Sequence, residues 1–235
     1  MFISIIIPCF NEINTLESII NKILKQRKIK KEIIIVDDGS TDGTKELIEK
    51  KILKMVDKVF FHKKNKGKGA AIITGIKNSK GNIILIQDAD LEYDPSDYFS
   101  LIKPIINGDA SVVYGSRVLY KRRYFIKEFT SVYRIFFNHL LTILSNLINK
   151  QNLTDAHTGY KVFLSSIIKK IDLKENDFAF CPEVNTKLSN FSIKIKEVPI
   201  SYNGRSYKQG KKIGFKDGLR AIYVILKYKF FNKFL

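Results

Sequence analysis

The chain has 235 residues, 45% of them hydrophobic, enough for one sizeable domain with a real core and too apolar for wholesale disorder. Its 41 Lys and Arg against 23 Asp and Glu leave a net +18, which suits an anionic partner: nucleic acid, an acidic membrane surface or a phosphorylated substrate. Two cysteines, Cys9 and Cys181, exclude a disulfide framework and a paired-cysteine metal site, and predict a reducing, cytoplasmic setting.

The first residues carry no basic start, and their apolar run is too short for a signal peptide; they predict a buried strand over 3–7. A helix follows, with Leu16, Ile19, Ile20, Ile23 and Leu24 on one stripe and Asn14 and Glu17 as its start signal. A second strand, 33–36, ends at Asp37-Asp38-Gly39-Ser40; residues 41–54 read as helix and 58–61 as a third strand. Gly67-Lys68-Gly69 opens a helix that closes near Gly81, and strand 83–86 runs into Gln87-Asp88-Ala89-Asp90. Alternating helices and uniformly apolar strands predict a mostly parallel, Rossmann-like α/β sheet flanked by helices. Ligands in such sheets sit beyond the carboxyl ends of strands, where Pro8 to Glu12, Asp37-Asp38 and Asp88 to Asp90 all fall.

In the second half, 109–114 reads as another strand, ending at Gly115-Ser116-Arg117. The basic stretch Lys121-Arg122-Arg123 precedes a long amphipathic segment, 128–149, too often interrupted by polar residues to span a membrane. Its apolar positions, Phe136, Phe137, Leu140, Leu141, Leu144 and Leu147 among them, read as one wide stripe, for the core or for a membrane interface. The C-terminal 219–235 mixes Phe230, Phe231 and Phe234 with Lys227, Lys229 and Lys233 and suits anionic headgroups. These changes divide the chain into 1–127, 128–218 and a basic amphipathic helix, 219–235.

Asp88-Ala89-Asp90, a D-x-D pair just past a buried strand, can share Mg²⁺ or Mn²⁺ whose other positions go to phosphate oxygens. Asp94-Pro95 beyond it reads as an N-cap and first helical residue. Asp37-Asp38-Gly39-Ser40 offers carboxylates to a base or ribose, and a turn with a helix cap as well. Phe10 beside Glu12 suits stacking on a nucleobase and reading its edge. Gly67-Lys68-Gly69 fits a phosphate loop and close helix–sheet packing equally. His62 reads as an ordinary strand-end residue, and His139 and His157 as structural or acceptor-side. A nucleic-acid surface would need basic residues interleaved with aromatics on a sheet face; aliphatic strands and gathered carboxylates exclude that partner.

Taken in order, these motifs resemble glycosyltransferase family 2, and within it the polyprenyl-phosphate sugar transferases typified by dolichol-phosphate mannosyltransferase. The carrying residues are Ile7 to Glu12, Val36 to Thr44, Asn65 to Ala70, Asp88 to Glu92, Gly115-Ser116-Arg117, Leu153-Thr154-Asp155, Thr158 to Lys161 and Glu197 to Ile200. The resemblance implies a GT-A fold with C-terminal amphipathic interface helices, and a GDP- or UDP-sugar donor. By position it assigns Pro8, Phe10, Glu12, Val36 and Asp38 to the nucleotide, and Asp88, Ala89, Asp90 and Glu92 to metal and diphosphate. Arg117, Arg205 and Lys211 would contact phosphates of donor or acceptor. Phe10 stands where the family usually has Tyr, Glu92 where the mannosyltransferases often have Gln, and Cys181 opens a more usually acidic-Pro-Glu run. The implied reaction is inverting sugar transfer to a polyprenyl phosphate, peripherally at the inner face of a membrane in glycan biosynthesis. The alternative within the family is a glycan or protein acceptor.

Overall fold

The computed structural model describes residues 1–120, 132–204 and 215–231, side chains at 132–134 and 215 excepted. Arg205, Lys211, the Lys121-Arg122-Arg123 stretch, Phe129, Lys233 and Phe234 lie outside the described residues.

A seven-stranded sheet organises the molecule, in the order β3-β2-β1-β4-β6-β5-β7. Its strands are β1 (Ile3–Cys9), β2 (Lys31–Asp37), β3 (Lys58–Phe61), β4 (Ile83–Ile86), β5 (Val112–Ser116), β6 (Lys161–Leu164) and β7 (Ile195–Pro199). Parallel pairing joins β3, β2, β1 and β4, and also β5 and β7; β6 alone runs against its neighbours β4 and β5. The strand order reverses direction at β1, flanked by β2 on one side and β4 on the other, which opens a crevice above their carboxyl ends.

Isoleucine dominates the central strands because β-branched side chains fill a pleated surface covered on both faces. Ile5 and Ile7 face one core, with α1 (Leu16–Lys25) and α4 (Tyr98–Ile106); Ile6 faces the other, with α3 (Lys68–Asn78) and α7 (Phe180–Asn190). The remaining helices are α2 (Thr44–Lys50), α5 (Val132–Asn149), the short α6 (Ser165–Ile168) and α8 (Phe215–Leu226), which continues as a π-helical stretch, Lys227–Phe231. Helices α5 and α8 pack on α7 and on each other, outside the second core.

Several elements depart from the sequence expectation. The 41–54 helix starts only at Thr44, because Gly43 takes φ 95°, and it breaks at Lys51, with φ −128°, into α2 and a 3₁₀ turn, Ile52–Lys54. Thr15, not Asn14, precedes α1, and it makes no side-chain cap. Asp94 does cap, accepting from the Ser96 amide at 2.9 Å ahead of Pro95.

The stripe expected on 128–149 divides. In α5, Ile135, Thr142, Ser145 and Asn149 face inward, while Phe136, Phe137, Leu140, Ile143 and Leu147 stay exposed. Small polar residues fit there because they bond across the contact: Asn149 Nδ2 donates to Thr186 Oγ1 at 3.2 Å, and Ser189 Oγ to the Asn149 carbonyl at 2.7 Å. No helix among the described residues is long and apolar enough to cross a membrane.

Candidate active site

The antiparallel course of β6 brings the residues just before it to the same sheet edge as the carboxyl ends of the other strands. Phe10 to Glu12 follow β1, Asp38 follows β2, Asp88 to Asp90 follow β4, Arg117 follows β5, and Asp155 to Tyr160 lead into β6. Two residues there adopt left-handed backbone, Asn11 at φ 54° and Leu91 at φ 63°, which marks the turns beside the crevice as strained.

Buried Gln87 sets the D-x-D turn. Its Oε1 accepts from the Tyr98 and Tyr160 hydroxyls, each at 2.7 Å, and its Nε2 donates to the Asp88 carbonyl at 2.9 Å. Asp88 lies against Gly159, where a Cβ would come within 2.5 Å of Oδ2; only glycine allows that approach. The Asp88 Oδ1 atom is buried and lacks a well-directed hydrogen bond, yet the Lys68 ammonium is 2.6 Å away as an ion-pair partner. Burial alone would lower the Lys68 ammonium, but Asp88, helped by Cys181 and Asp90, outweighs it and holds the group above the usual lysine range.

The carboxylates expected to share a cation do not all converge. Glu92 Oε2 accepts from the Tyr202 hydroxyl at 2.9 Å, and the Glu92 amide donates to Asp90 Oδ1 at 3.1 Å. Among the described residues, no three acidic, histidine or cysteine side chains are arranged to hold a metal. Two carboxylates, Asp88 and Asp90, remain on the turn after β4, and Glu92, bonded to Tyr202, holds that turn through its amide.

Of the residues the family pattern assigns to the nucleotide, Val36 and Ala89 are 0% and 3% exposed, main chain included, and Val36 is paired in the sheet on both sides. Pro8 and Phe10 are half-buried at the end of β1. Glu12 is buried, and its Oε2 accepts from Thr15 Oγ1 at 2.8 Å. Asp38 is far more engaged than expected. It accepts from the Gly67 amide at 2.7 Å and the Lys66 amide at 3.0 Å, and pairs with His62 Nδ1 at 2.6 Å. His62 Nε2 meets Thr74 Oγ1 on α3 at 3.0 Å, so Asp38 ties the turn before α3 to the end of β2. The glycines of that turn serve packing: a Cβ on Gly69 would collide with the Glu175 carbonyl. Lys68 between them is what reaches the carboxylates.

Arg117 is clamped. Its Nε and Nη2 donate to the two oxygens of Asp155, each at 2.7 Å, and its guanidinium carbon lies 5.1 Å from the Tyr202 ring centre. Burial would raise the Asp155 carboxyl, but the Arg117 guanidinium outweighs it and holds the group below the usual aspartate range. Beneath them Lys161, 1% exposed, sits 3.7 Å from the Tyr114 ring centre and donates to the Ala156 carbonyl at 3.1 Å. Its burial lowers the ammonium below the usual range.

The sequence read His62 as an ordinary strand-end residue and gave Gln87 and Gly159 no role of their own. A polar residue next to a strand's carboxyl end was a usable signal for His62 and Gln87. Nothing local marks Gly159, whose need comes from Asp88, far away in sequence.

The family model for glycosyl transferase family 2 matches residues 4–172. The chain is 29% identical to the UDP-N-acetylglucosamine–dolichyl-phosphate N-acetylglucosaminyltransferase of Methanococcus voltae, over 97% of this chain and 96% of that protein. It is 28% identical to the dolichol-phosphate mannosyltransferase of Pyrococcus furiosus, over 97% of this chain and 65% of that one. Among solved structures, glucosyl-3-phosphoglycerate synthase from Mycobacterium tuberculosis, in complex with Mn²⁺ and UDP-glucose, superimposes with TM-score 0.73 at 16% identity, covering 97% of this chain and 78% of that chain. A match over most of the chain shows the family: this protein is a glycosyltransferase of family 2, built on the GT-A fold.

Proposed function

We propose that the chain transfers a sugar, with inversion, from a GDP- or UDP-sugar to the phosphate of a polyprenyl lipid, with Mg²⁺ or Mn²⁺ as cofactor. One observation carries the reading: the Asp88–Asp90 turn and the clamped Arg117 share one sheet edge, so anionic and cationic groups stand ready for a metal–diphosphate and a phosphate. The dolichyl-phosphate relatives support the acceptor. The fold neighbour solved with Mn²⁺ and UDP-glucose supports the donor and the metal.

Asp88 and Asp90 would hold the cation, which when bound neutralises charge growing on the departing nucleotide diphosphate. Lys68, 2.6 Å from Asp88, stands beside them as a second positive group for the same diphosphate. Pro8, Phe10, Glu12, Val36, Asp38 and Ala89 would frame the nucleotide. Arg117 would orient the acceptor phosphate, with Arg205 and Lys211 assigned to phosphates by the family pattern. The acceptor oxygen is already ionised near neutral pH, so it attacks the anomeric carbon directly. That carbon's bond to the diphosphate breaks, and no general base is required. On this reading 1–127 binds the donor, 128–218 the acceptor, and 219–235 an anionic membrane surface from the cytoplasmic side.

The test is transfer of labelled sugar from a panel of GDP- and UDP-sugars to polyprenyl phosphate, with Mg²⁺, Mn²⁺ or chelator. Metal-dependent product of inverted configuration is expected, and Asp90→Ala should lower its rate roughly 100-fold or more at an unchanged Tm. Undiminished transfer in chelator, or by the variant, overturns the metal role. Transfer to phosphoglycerate or a glycan in place of the lipid overturns the acceptor.

A further inference from the structure

Two motifs of the chain, Leu153-Thr154-Asp155 and Glu197-Val198-Pro199-Ile200, meet at the edge of the site. Parallel pairing of β7 with β5 sets Glu197 beside Tyr114 and Pro199 beside Ser116, one residue before Arg117. From that edge the Glu197 carboxylate reaches the loop ahead of β6. Its Oε2 accepts from the Thr154 amide at 2.7 Å and the Thr154 hydroxyl at 3.0 Å; its Oε1 accepts from the Asp155 amide at 2.9 Å.

Each residue so held grips the Arg117 turn in a different way. Asp155 takes the Arg117 amide at 3.1 Å on Oδ2, besides the two guanidinium bonds. Thr154 Oγ1 lies 2.7 Å from Ser116 Oγ, which accepts from the Leu119 amide at 3.0 Å. Asp155 is 3% exposed and Arg117 7%, so neither can drift into water to recover lost contacts. A planar guanidinium gripped on two nitrogens points its other N–H groups wherever its carboxylate partner places it. The Asp155 carboxylate is in turn placed by a main chain that hangs on Glu197.

We infer that Glu197 is a positioning residue for phosphate binding by Arg117, acting through Asp155 without touching substrate. This rests on the reading of Arg117 as a phosphate contact. The competing role, a carboxylate that merely ties an edge strand to a loop, predicts lost stability and no selective kinetic effect.

The discriminating experiment measures steady-state kinetics of Glu197→Gln, Arg117→Ala and the double variant. Ile195→Ala, a packing change on the same strand, is the control. Glutamine turns an N–H₂ toward one of the two loop amides and leaves it unpaired. Glu197→Gln should raise KM for polyprenyl phosphate roughly tenfold or more and change KM for the nucleotide-sugar less than about twofold. The double variant should be no worse than Arg117→Ala alone, since both act on one contact. If Glu197→Gln does not fold, Glu197→Asp is measured instead. Its carboxylate is one methylene short, and the same selective rise in acceptor KM is expected. Additive losses, equal effects on both substrates, or an Ile195→Ala variant with the same acceptor defect would overturn the proposal. Absence of transfer to any lipid phosphate by the wild type would sink the acceptor assignment instead. The same set scored on donor hydrolysis would then decide the coupling, non-additivity keeping the proposal and additivity removing it.

Discussion

His157 sits two residues after Asp155 of the clamp, with Nε2 buried and without a hydrogen-bond partner among the described residues. Burial first, then the nearby Lys161, push its imidazole down to about 4, against help from Asp155 and a hydrogen bond to the Leu141 backbone. The sign follows from proton counting. Between its unfolded value of 6.5 and about 4, the unfolded chain holds a proton on this ring that the folded chain refuses. Stability from this group is therefore complete above pH 6.5, falls as the pH drops through that window, and levels off below about 4, by ~3 kcal/mol at most. His157→Asn keeps a donor for Leu141 and removes the titration. Urea midpoints at pH 7, 5.5 and 4.5 should fall less steeply for the variant than for the wild type, and identical slopes would refute the account. At the same scale, Asp38 was legible as a site carboxylate. Its tie to His62 was not, because the two meet only once β2 and β3 pair.

At the scale of elements, α5 and α8 share one unusual property. Each, with the π-helical stretch that follows α8, turns large apolar residues outward, such as Leu147 at 77% and Phe231 at 82% exposure. Along α8 and the π-helical stretch after it, the inward line is Ala221, Val224, Ile225 and Tyr228; Leu219, Tyr223, Phe230 and Phe231 face out. Exposed apolar rows on neighbouring helices are what a lipid interface stabilises, and α5 adjoins the loop that carries Asp155 through the His157–Leu141 contact. A buried Phe contributes about 1.5–3 kcal/mol, so losing two should cut partition by well over tenfold. Phe230→Ser with Phe231→Ser is expected to abolish sedimentation with anionic vesicles and slow transfer to long-chain lipid phosphate embedded in them. Transfer to a short prenyl phosphate in solution should persist. Vesicle binding that survives the double change would rule out the interfacial role of α8. Periodicity alone could not choose between core and interface, since both present the same apolar spacing.

Across the molecule, one buried carboxylate, Glu175, ties α8 to the loop beside Lys68. Glu175 takes the Arg220 guanidinium, the Lys227 ammonium at 2.9 Å and the Tyr228 hydroxyl at 2.9 Å. Its own loop lies on the turn that carries Lys68, where the Ala70 amide donates to the Asn176 carbonyl at 3.0 Å. The helix α8 and the turn that carries Lys68 are thereby linked through a single short segment. Arg220 and Lys227 are 40% and 31% exposed, so solvent weakens their attraction, and Glu175→Gln should cost about 2 kcal/mol. For a chain of this size that is a drop of roughly 4–8 °C in Tm, with weaker nucleotide-diphosphate binding by calorimetry. An unchanged Tm would show that the tie is idle.

The amino-acid sequence by itself determined the alternation of apolar strands and helices, the parallel α/β class, and the carboxylates at strand ends. Those are local consequences of periodicity and of turn chemistry, and β1, β4 and the Asp88–Asp90 turn stand where that reading set them. The later elements went unread: α4, α7, β6 and β7 were not set out in advance, although α4 buries Tyr98, Leu101, Ile102 and Ile105 at helical spacing, and β6 runs antiparallel against the trend. Only tertiary structure decided that Glu92 serves Tyr202, that Lys68 reaches Asp88, and that Asp155 clamps Arg117. These partners are remote in sequence and come together at one sheet edge because strand order, which local pattern does not encode, brings them there.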